Sequence, residues 1–410
     1  MRDIDLYRHL LGLTPPWTVA RVELNVKEQK VDVWAEHASA ELFPCPECGD
    51  KLALYDHSEE RSWRHLDSCQ FLTFLHARPP RVSCATHGVR QVRLPWAEPR
   101  SRFTALFERL AIDVLKETSV VGGMRILRIS WDEAWHIVER AVERGQLAKP
   151  RRLPAKIGVD EKAAAKGQTY VTIVCDIQRG TVEHVSDERT KESLDGYFAK
   201  FSVEERKSVE AVAMDMWDPY LRSVIEHIPG GAEKIVFDRY HIMNTMGEAV
   251  NDVRKREHRE LRADGDETLT GSKYLWLYAE ENLPEKHHEH FATLKSINLK
   301  TARAWAIKES LRDLWSYRTK GWAMRYWRRW HFWATHSRLQ PVIDVAYRVK
   351  RRLANIMTYF QHRITNATSE GLNSKIQTIK KTACGYRNRE HFKTAIFFHC
   401  GGLDLYPAMP

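Results

Sequence analysis

Three short apolar runs in this 410-residue chain each end in an aspartate. The runs cover residues 156–160, 210–215 and 234–238, and the acids that close them are Asp160, Asp215 and Asp238. Such runs are typical of buried strands, and an acid at the carboxyl end of a strand lies at the sheet edge where α/β sites form. One such aspartate alone would indicate a cap or a turn, whereas three in this order favour a metal site.

Two facing carboxylates repel each other in a partly dry site, and a divalent cation removes that cost. Mg²⁺, or Mn²⁺, prefers hard oxygen ligands, and a pair of such ions suits in-line displacement at phosphorus. Asp160 and Asp215 are the first two candidate ligands, and Glu370 is the third, in the first turns of a helix that Asn366 or Thr368 could cap. Three nearby acids are expected to be neighbours of the site and not ligands: Glu161, Asp176 and Asp218.

Two pairs of metal-ligating residues lie in the N-terminal segment, residues 1–100. Cys45 and Cys48 form a CPxCG knuckle, and Cys84 and His87 repeat its two-residue gap. That gap lets both side chains reach one ion, and the glycine after each pair permits the tight turn beneath it. The pairs predict a structural Cys₃His zinc site on two β-hairpins, closed because four protein ligands leave no open position. The alternatives are four unrelated reduced side chains, or a ligand replaced by one of the intervening residues His57, His65 and Cys69.

Residues 101–148 have apolar side chains at helical spacing and predict a helix-turn-helix domain. Gly122-Gly123 is expected to break the chain, and Ser130 with Glu133 forms a capping-box pattern before the last helix. In such a domain the last helix enters the major groove of DNA. A plain helical spacer is the alternative, because that last helix is not notably basic.

The order of elements predicts how the acids meet. Residues 170–175 and 181–185 indicate a β-hairpin between the first and second apolar runs, and a helix follows it. The resulting order, β-β-β-α-β-α-β, is the layout of an RNase H-like sheet, in which the first and fourth strands are neighbours. We therefore expect an α/β catalytic domain over residues 155–400, with Asp160 and Asp215 facing each other on adjacent strands.

A helical insertion, about residues 240–362, is expected to separate the second acid from the third. Its apolar stripe includes Trp322, Trp330 and Trp333, and core packing is favoured over base stacking for these rings. Residues 300–352 hold 14 Lys and Arg against three acids, a net +11, whereas the whole chain carries +10. This segment therefore predicts contact with phosphates. The candidate DNA-binding residues are Arg325, Arg328, Arg329, Arg351, Arg352, Lys375, Lys380 and Lys381.

Composition excludes several classes of protein. An apolar content of 43% excludes a largely disordered chain, and no run approaches the roughly 18 apolar residues of a membrane span. Seven cysteines, an odd number, and an N-terminus without a signal-peptide pattern argue against a disulfide framework. We expect a cytoplasmic protein with no membrane partner.

Several blocks of sequence occur together along the chain. They are the CPxCG ribbon, the segment Gly158-Val159-Asp160-Glu161, and residues 214–220, 237–243 and 366–375. With them the chain resembles, nearly end to end, the ISL3 family of bacterial insertion-sequence transposases. The resemblance implies an acidic triad of Asp160, Asp215 and Glu370 with two Mg²⁺ ions. It also marks Asp238 and His241 as a shared motif, either for substrate contact or for structural support.

The resemblance implies cleavage of the element's ends and transfer of the freed 3′-hydroxyl to target DNA. Two DNA ends must be brought together, so we expect a homodimer or a larger assembly on DNA. Two alternatives stay open: a regulator that binds DNA through ribbon and helix-turn-helix without catalysis, and an RNase H-like nuclease that only hydrolyses.

Overall fold

The computed structural model describes residues 3–38, 41–165, 169–364 and 367–408 of the chain. It divides into two compact units. The first comprises residues 1–150, 381–384 and 390–410, and the second comprises residues 151–380 and 385–389.

The first unit opens with helix α1 (Asp3–Leu10) and two four-stranded sheets. The eight strands are β1 (Trp17–Asn25), β2 (Lys30–His37), β3 (Leu42–Pro44), β4 (Lys51–His57), β5 (Arg61–Ser68), β6 (Phe71–Ala77), β7 (Pro80–Cys84) and β8 (Gly88–Gln91). One sheet has the order β1-β2-β6-β5 and the other has the order β3-β4-β7-β8. The second sheet carries both knuckles, as predicted for a ribbon of hairpins.

The two sheets differ in how much apolar surface they bury. The β1-β2-β6-β5 sheet packs a core that includes Trp17, Val33 and Trp63. The ribbon sheet has a cluster of only three buried residues, namely Phe43, Val82 and Val92. A core of that size stabilises little, which is why small sheets of this kind depend on a bound metal.

Three helices follow the ribbon: α2 (Ala105–Glu117), α3 (Val120–Leu127) and α4 (Trp131–Ala148). The predicted capping box is present, since the Ser130 hydroxyl accepts from the Glu133 amide and the Glu133 carboxylate accepts from the Ser130 amide. The predicted chain break was wrong. Gly122 and Gly123 lie inside α3, and the turns fall on either side of that helix.

The second unit is built on a five-stranded mixed sheet of order β11-β10-β9-β12-β13. Its elements are β9 (Lys156–Ala165), β10 (Thr169–Asp176), β11 (Thr181–Asp187), α5 (Lys191–Phe198), α6 (Val203–Lys207), β12 (Ala211–Met214), α7 (Asp218–His227), α8 (Gly231–Lys234) and β13 (Ile235–Phe237). Strands β9, β10 and β11 are antiparallel, and β12 runs parallel to both β9 and β13. This is the RNase H-like order predicted from the sequence, with the first and fourth strands adjacent.

Both faces of this sheet are covered. Ile157, Met214 and neighbouring side chains pack against α5 and α7 within the main core. Ala211, Ala213 and Val236 form a separate small cluster on the other face. Because successive residues of a strand point to opposite faces, these short apolar strands bury side chains on both faces of the sheet.

A helical insertion follows β13. Its helices are α9 (Arg239–Ala263), α10 (Lys273–Leu277), α11 (His288–Ser296), α12 (Lys300–Arg312), α13 (Lys320–Thr335), α14 (Gln340–Arg351), α15 (Leu353–Met357) and α16 (Tyr359–His362). Its core includes Trp305, Trp327 and Trp330. The prediction of core packing was wrong for two other tryptophans, because Trp322 is 58% exposed and Trp333 is 45% exposed.

The last two helices are α17 (Ala367–Thr382) and α18 (Arg389–Cys400). Most of α17 belongs to the second unit, whereas residues 390–410 belong to the first. The His391 ring lies 4.4 Å from that of Trp135, and the Tyr406 hydroxyl donates to Asp113 at 2.6 Å. Residues 390–410, which include most of α18, therefore pack with the helix-turn-helix region.

Candidate active site and zinc ribbon

Both knuckles are turns between antiparallel strands of the small ribbon sheet. Cys45 and Cys48 lie between β3 and β4, while β7 ends at Cys84 and β8 begins at Gly88. In the first knuckle the Gly49 amide donates to the Cys45 carbonyl at 2.9 Å, and Gly49 has a φ of +80°. Only glycine adopts such a φ without strain, so this residue closes the turn beneath the two thiols.

The four predicted zinc ligands lie together. Cys48 Sγ is 3.7 Å from Cys84 Sγ, and His87 Nδ1 is 3.5 Å from Cys84 Sγ and 3.9 Å from Cys45 Sγ. Zn–S bonds of about 2.3 Å place two sulfurs of a tetrahedral site about 3.8 Å apart, so the cage has the dimensions of a zinc site. Backbone amides of His87 and Thr86 donate to Cys84 and lower the pKa of its thiol to about 6, which favours the thiolate that binds metal.

The three substitute ligands lie elsewhere. His57 Nε2 is 2.8 Å from His37 Nε2, and His65 Nδ1 is 2.9 Å from the Thr104 hydroxyl. Burial lowers the pKa of His65 to about 4, so the ring is neutral at pH 7. Cys69 is exposed. Among the residues that the structure describes, the group of four ligand atoms within 4.8 Å contains none of these three.

Asp160 and Asp215 lie side by side at one edge of the second unit's sheet. Strands β9 and β12 run parallel, and Gly158 opposite Ala213 is their last paired position. Asp160 comes two residues further along β9, and Asp215 comes two residues further along the chain, directly after β12 ends at Met214. Parallel register therefore carries both carboxylates to the same edge.

Asp160 is held by two donors. Its Oδ1 accepts from the Glu161 amide at 2.8 Å, and its Oδ2 accepts from the side-chain amide of Asn373. Asn373 lies on α17, three residues after Glu370, so it is on the same side of that helix. The helix that carries the third predicted acid is thus attached to the first.

Arg189 lies between Asp215 and Glu161. Its Nη2 is 3.0 Å from Asp215 Oδ2 and 2.9 Å from Glu161 Oε1, and its guanidinium carbon lies 4.1 Å from the centre of the Trp217 ring. The Trp217 amide also donates to Asp215 Oδ1 at 3.2 Å. One cation therefore neutralises part of the negative charge at this edge.

Two carboxyl groups at this edge, Glu161 and Asp215, have raised pKa values. Burial raises the pKa of Glu161 to about 7, with the charges of Asp215 and Asp160 acting in the same direction and Arg189 opposing them. Burial also raises the pKa of Asp215, against the lowering effects of Arg189 and His241. Both carboxyls would be more stable as anions beside a further cation.

Helix α17 can approach the sheet because Gly158 has no side chain. A Cβ at that position would lie 2.6 Å from Cys175 Sγ and closer still to the Ser369 hydroxyl. Ser369 and Cys175 are themselves 3.2 Å apart, oxygen to sulfur. The residue before Glu370 therefore packs directly on the strand that carries Asp160.

Glu370 lies in the first turn of α17 and is exposed. Thr368 falls inside this helix, and Asn366, the other cap candidate, lies outside the described residues. Within the described part of the chain the only group of three or more potential ligand atoms, all within 4.8 Å, is the cysteine–histidine cage. The structure thus joins Asp160 and Asp215 at one edge and places Glu370 on the adjoining helix, without closing the three carboxylates into a cage.

Asp238 and His241 lie at the start of the insertion. Asp238 is buried, its amide donates to the Met214 carbonyl at 3.0 Å, and its carboxylate accepts from the Tyr240 amide at 3.0 Å. It is the N-cap of α9. His241 Nε2 lies 4.0 Å from Asp238 Oδ2. Asp238 therefore ties the end of β12, which precedes Asp215, to the first helix of the insertion.

The predicted basic residues are not equivalent. Arg325, Arg328, Arg329 and Arg351 are exposed on the insertion, as are Lys375 and Lys381 on α17. Two others have partners, since Arg352 forms an ion pair with Asp218, and Lys380 Nζ donates to the Ala163 carbonyl at 2.7 Å.

Sequence reasoning missed Arg189, Asn373 and the role of Gly158. Asn373 could have been found from its spacing, because it follows Glu370 by three residues in a predicted helix. Arg189 follows β11 in a loop, and its position between two acids depends on a contact that spans the fold. No local pattern in the sequence predicts such a contact.

Three sequence families match the chain in consecutive stretches. Residues 41–87 match the family described as the zinc-finger of transposase IS204/IS1001/IS1096/IS1165, and residues 92–142 match the helix-turn-helix domain of transposase family ISL3. Residues 157–396, more than half of the chain, match the DDE domain of ISL3 elements, described as transposase.

Curated relatives match over most of their length. The transposase for insertion sequence element IS1557 of Mycobacterium tuberculosis is 26% identical, over 95% of this chain and 93% of its own. The transposase for insertion sequence element IS1001 of Bordetella parapertussis is 26% identical, over 86% of this chain and 88% of its own.

Proposed function

The chain belongs to the ISL3 family of transposases, and from that premise we propose that it cuts the ends of an insertion element and joins the freed 3′-hydroxyls to target DNA. The observation that carries this proposal is that Asp160 and Asp215 occupy corresponding positions on two parallel, adjacent segments, Asp160 in β9 and Asp215 directly after β12. With Glu370 on the helix packed across the same strand, they form the carboxylate set that a metal-dependent polynucleotidyl transferase requires.

The donor chemistry of the site fits a divalent cation. Asp160, Asp215 and Glu370 would hold two Mg²⁺ or Mn²⁺ ions through hard carboxylate oxygens. Arg189 already lies between two carboxylates, and Glu161 Oε2 is buried without a hydrogen-bond partner. When bound, such ions lower the pKa of an attacking water and stabilise the leaving 3′ oxygen.

The chain's own residues position and balance these acids. Asn373 fixes the Asp160 carboxylate by donating to Oδ2, and Arg189 limits the repulsion between Asp215 and Glu161. Lys375, exposed five residues beyond Glu370 on α17, would contact the phosphates of the strand being cut. Because water and then a 3′-hydroxyl are the nucleophiles, no tyrosine or serine needs to attack phosphorus.

The other parts of the chain would hold the DNA. Cys45, Cys48, Cys84 and His87 would bind one structural Zn²⁺ and so stabilise the ribbon sheet. The exposed arginines of the insertion would contact phosphates, and a homodimer or larger assembly would bring two element ends together. The structure describes no helix that is long and apolar enough to cross a bilayer.

The test is a Mg²⁺-dependent cleavage assay on DNA that carries an element end. Asp160→Asn and Asp215→Asn preserve side-chain size and remove the charge that would hold metal. We expect each to reduce cleavage by at least about a thousandfold while end binding stays unchanged.

The outcome also separates the other possibilities. Undiminished cleavage by both variants would overturn the assignment of the two acids. A wild-type chain that binds ends but never cuts them would be a regulator, and one that cuts without giving joined strand-transfer products would be a nuclease.

A further inference from the structure

Helix α13 exposes large aromatic rings that the core does not use. Its buried side is formed by Ala323, Trp327, Trp330 and Ala334. Away from that buried side, Trp322 is 58% exposed, Phe332 is 64% exposed and Trp333 is 45% exposed. Exposed large apolar side chains gathered on one helix commonly mark an interaction surface.

The same side of α13 is strongly basic. At 100° per residue, Arg325 and Arg329 share an arc of about 100° with the three exposed rings, and Arg328 lies about 40° outside that arc. All three arginines are exposed, and α13 contains no acidic residue. The Arg325 guanidinium lies 4.8 Å from the Trp322 ring centre, as a cation held over a π-face.

The neighbouring helix α14 contacts α13 on another side. Tyr347 of α14 is 48% exposed, and its ring meets that of His331 of α13 edge-on at 5.8 Å between centroids. Arg348 and Arg351 are exposed on α14 as well. The face is therefore formed by α13 itself, and from Trp322 to Trp333 it runs about 16 Å along that helix, the length of a few nucleotides.

Resting on the proposed function, in which the partner is DNA, we propose that this aromatic–arginine face of α13 binds unpaired bases of a DNA strand. Guanidinium groups contact phosphates, whereas exposed rings offer π-faces on which bases stack. A paired duplex keeps its bases stacked on one another, so its backbone gives these rings nothing to stack on. An unpaired strand uses both halves of the surface.

Charge argues against a second copy of the chain as the occupant. A two-fold contact through this face would set Arg325, Arg328 and Arg329 against their own copies, with no acid on α13 to balance them. A strand of phosphates has the complementary charge.

The test measures binding of the full-length chain to a labelled 12-nucleotide strand and to the matching duplex by fluorescence anisotropy, without divalent metal. Trp322→Ala and Trp333→Ala are each expected to weaken single-strand binding about tenfold, and duplex binding less than twofold. Trp322→Phe should restore most of the loss, since it returns a ring without the indole. Arg325→Gln should weaken binding to both forms and flatten the dependence on salt.

The matched control is Tyr274→Ala. Tyr274 is 66% exposed on α10, and Lys273 Nζ lies 5.1 Å from its ring centre, so it is a ring–cation pair outside the face. We expect no change in single-strand binding. Equal losses on strand and duplex, or no loss for either tryptophan variant, would overturn the proposal, as would a change of oligomeric state by sedimentation without a change in binding.

Failure of this proposal and failure of the proposed function are distinguishable. Ring-dependent binding of the unpaired strand together with absent cleavage would leave the face intact and refute catalysis. Cleavage that needs Asp160 and Asp215, together with single-strand binding that Trp322→Ala and Trp333→Ala leave unchanged, would refute the face and support catalysis.

Discussion

The chain has two candidate metal sites, and they are built differently. In the ribbon, Cys84 Sγ lies 3.7 Å from Cys48 Sγ and 3.5 Å from His87 Nδ1. These ligand atoms already have the spacing that a bound ion requires. At the sheet edge Asp160 is bound by Asn373, Asp215 is bound by Arg189, and Glu370 is exposed on a separate helix. The first site is closed and the second is open.

The difference follows from where the ligands come from. The four ribbon ligands belong to two tight turns of one small sheet, so backbone geometry alone aims them at a common point. The acids come from two strands and a helix, with 209 residues between Asp160 and Glu370. A site that must admit substrate gains from being open, whereas a structural site gains from being filled by protein.

The largest expected effect is loss of the ribbon on removal of its metal. Cys84→Ser, or treatment with a strong chelator, should unfold β3, β4, β7 and β8, because structural zinc contributes on the order of 10 kcal/mol and the buried cluster there has three residues. Hydrogen exchange should rise in residues 41–91 and stay unchanged in residues 156–176.

Cys69→Ser is the control for this change, since Cys69 is exposed and outside the cage, and zinc content should stay at one ion per chain. If residues 41–91 stay protected from hydrogen exchange after metal removal, the ribbon does not depend on its ion for folding, and the proposed contrast with the acidic site is wrong.

A smaller effect is expected from Gly158→Val, which tests whether α17 must pack on the sheet. The new side chain would displace Ser369 and with it Glu370 and Asn373. Cleavage should fall about a hundredfold, because a shift of about 1 Å in a reacting group has that cost, while zinc content and DNA binding stay unchanged.

Two further variants sharpen this experiment. Gly371→Ala is the control, since its Cβ would meet nothing within 4 Å, and it should leave cleavage unchanged. Ser369→Gly added to Gly158→Ala should recover part of the activity that Gly158→Ala loses. Full cleavage by Gly158→Val would show that the helix position is unimportant.

The smallest effect is expected from Arg189→Gln. Without metal, Asp215 and Glu161 lose their shared cation, and the free energy of unfolding should fall by about 1–2 kcal/mol, less than for a fully buried pair because Arg189 is partly exposed. Mg²⁺ should then raise the melting temperature of the variant more than that of the wild type.

Thermal melts with and without Mg²⁺ measure this difference. Arg151→Gln removes an exposed partner of Glu205 in the same unit and should change neither melt. An identical response to Mg²⁺ in Arg189→Gln and wild type would mean that the acidic edge does not attract cations as an open site should.

Much of the architecture could be predicted because it depends on local patterns. The knuckle spacing, the capping box at Ser130 and the location of each strand along the chain each involve a few neighbouring residues, and all three appear in the structure. The wrong predictions concern features that local patterns do not determine. Helical periodicity identified Trp322 and Trp333 as part of an apolar stripe, but periodicity does not say which side of a helix finds a partner.

The sequence by itself determined which residues could bind metal and on which elements they lie, because strand ends, tight turns and helix starts are set by short-range chemistry. Tertiary structure alone decided that Arg189 bridges Asp215 and Glu161, that Gly158 admits α17 and that α18 joins the first unit. These are contacts between distant parts of the chain. They depend on how the elements pack, and packing is a property of the whole fold.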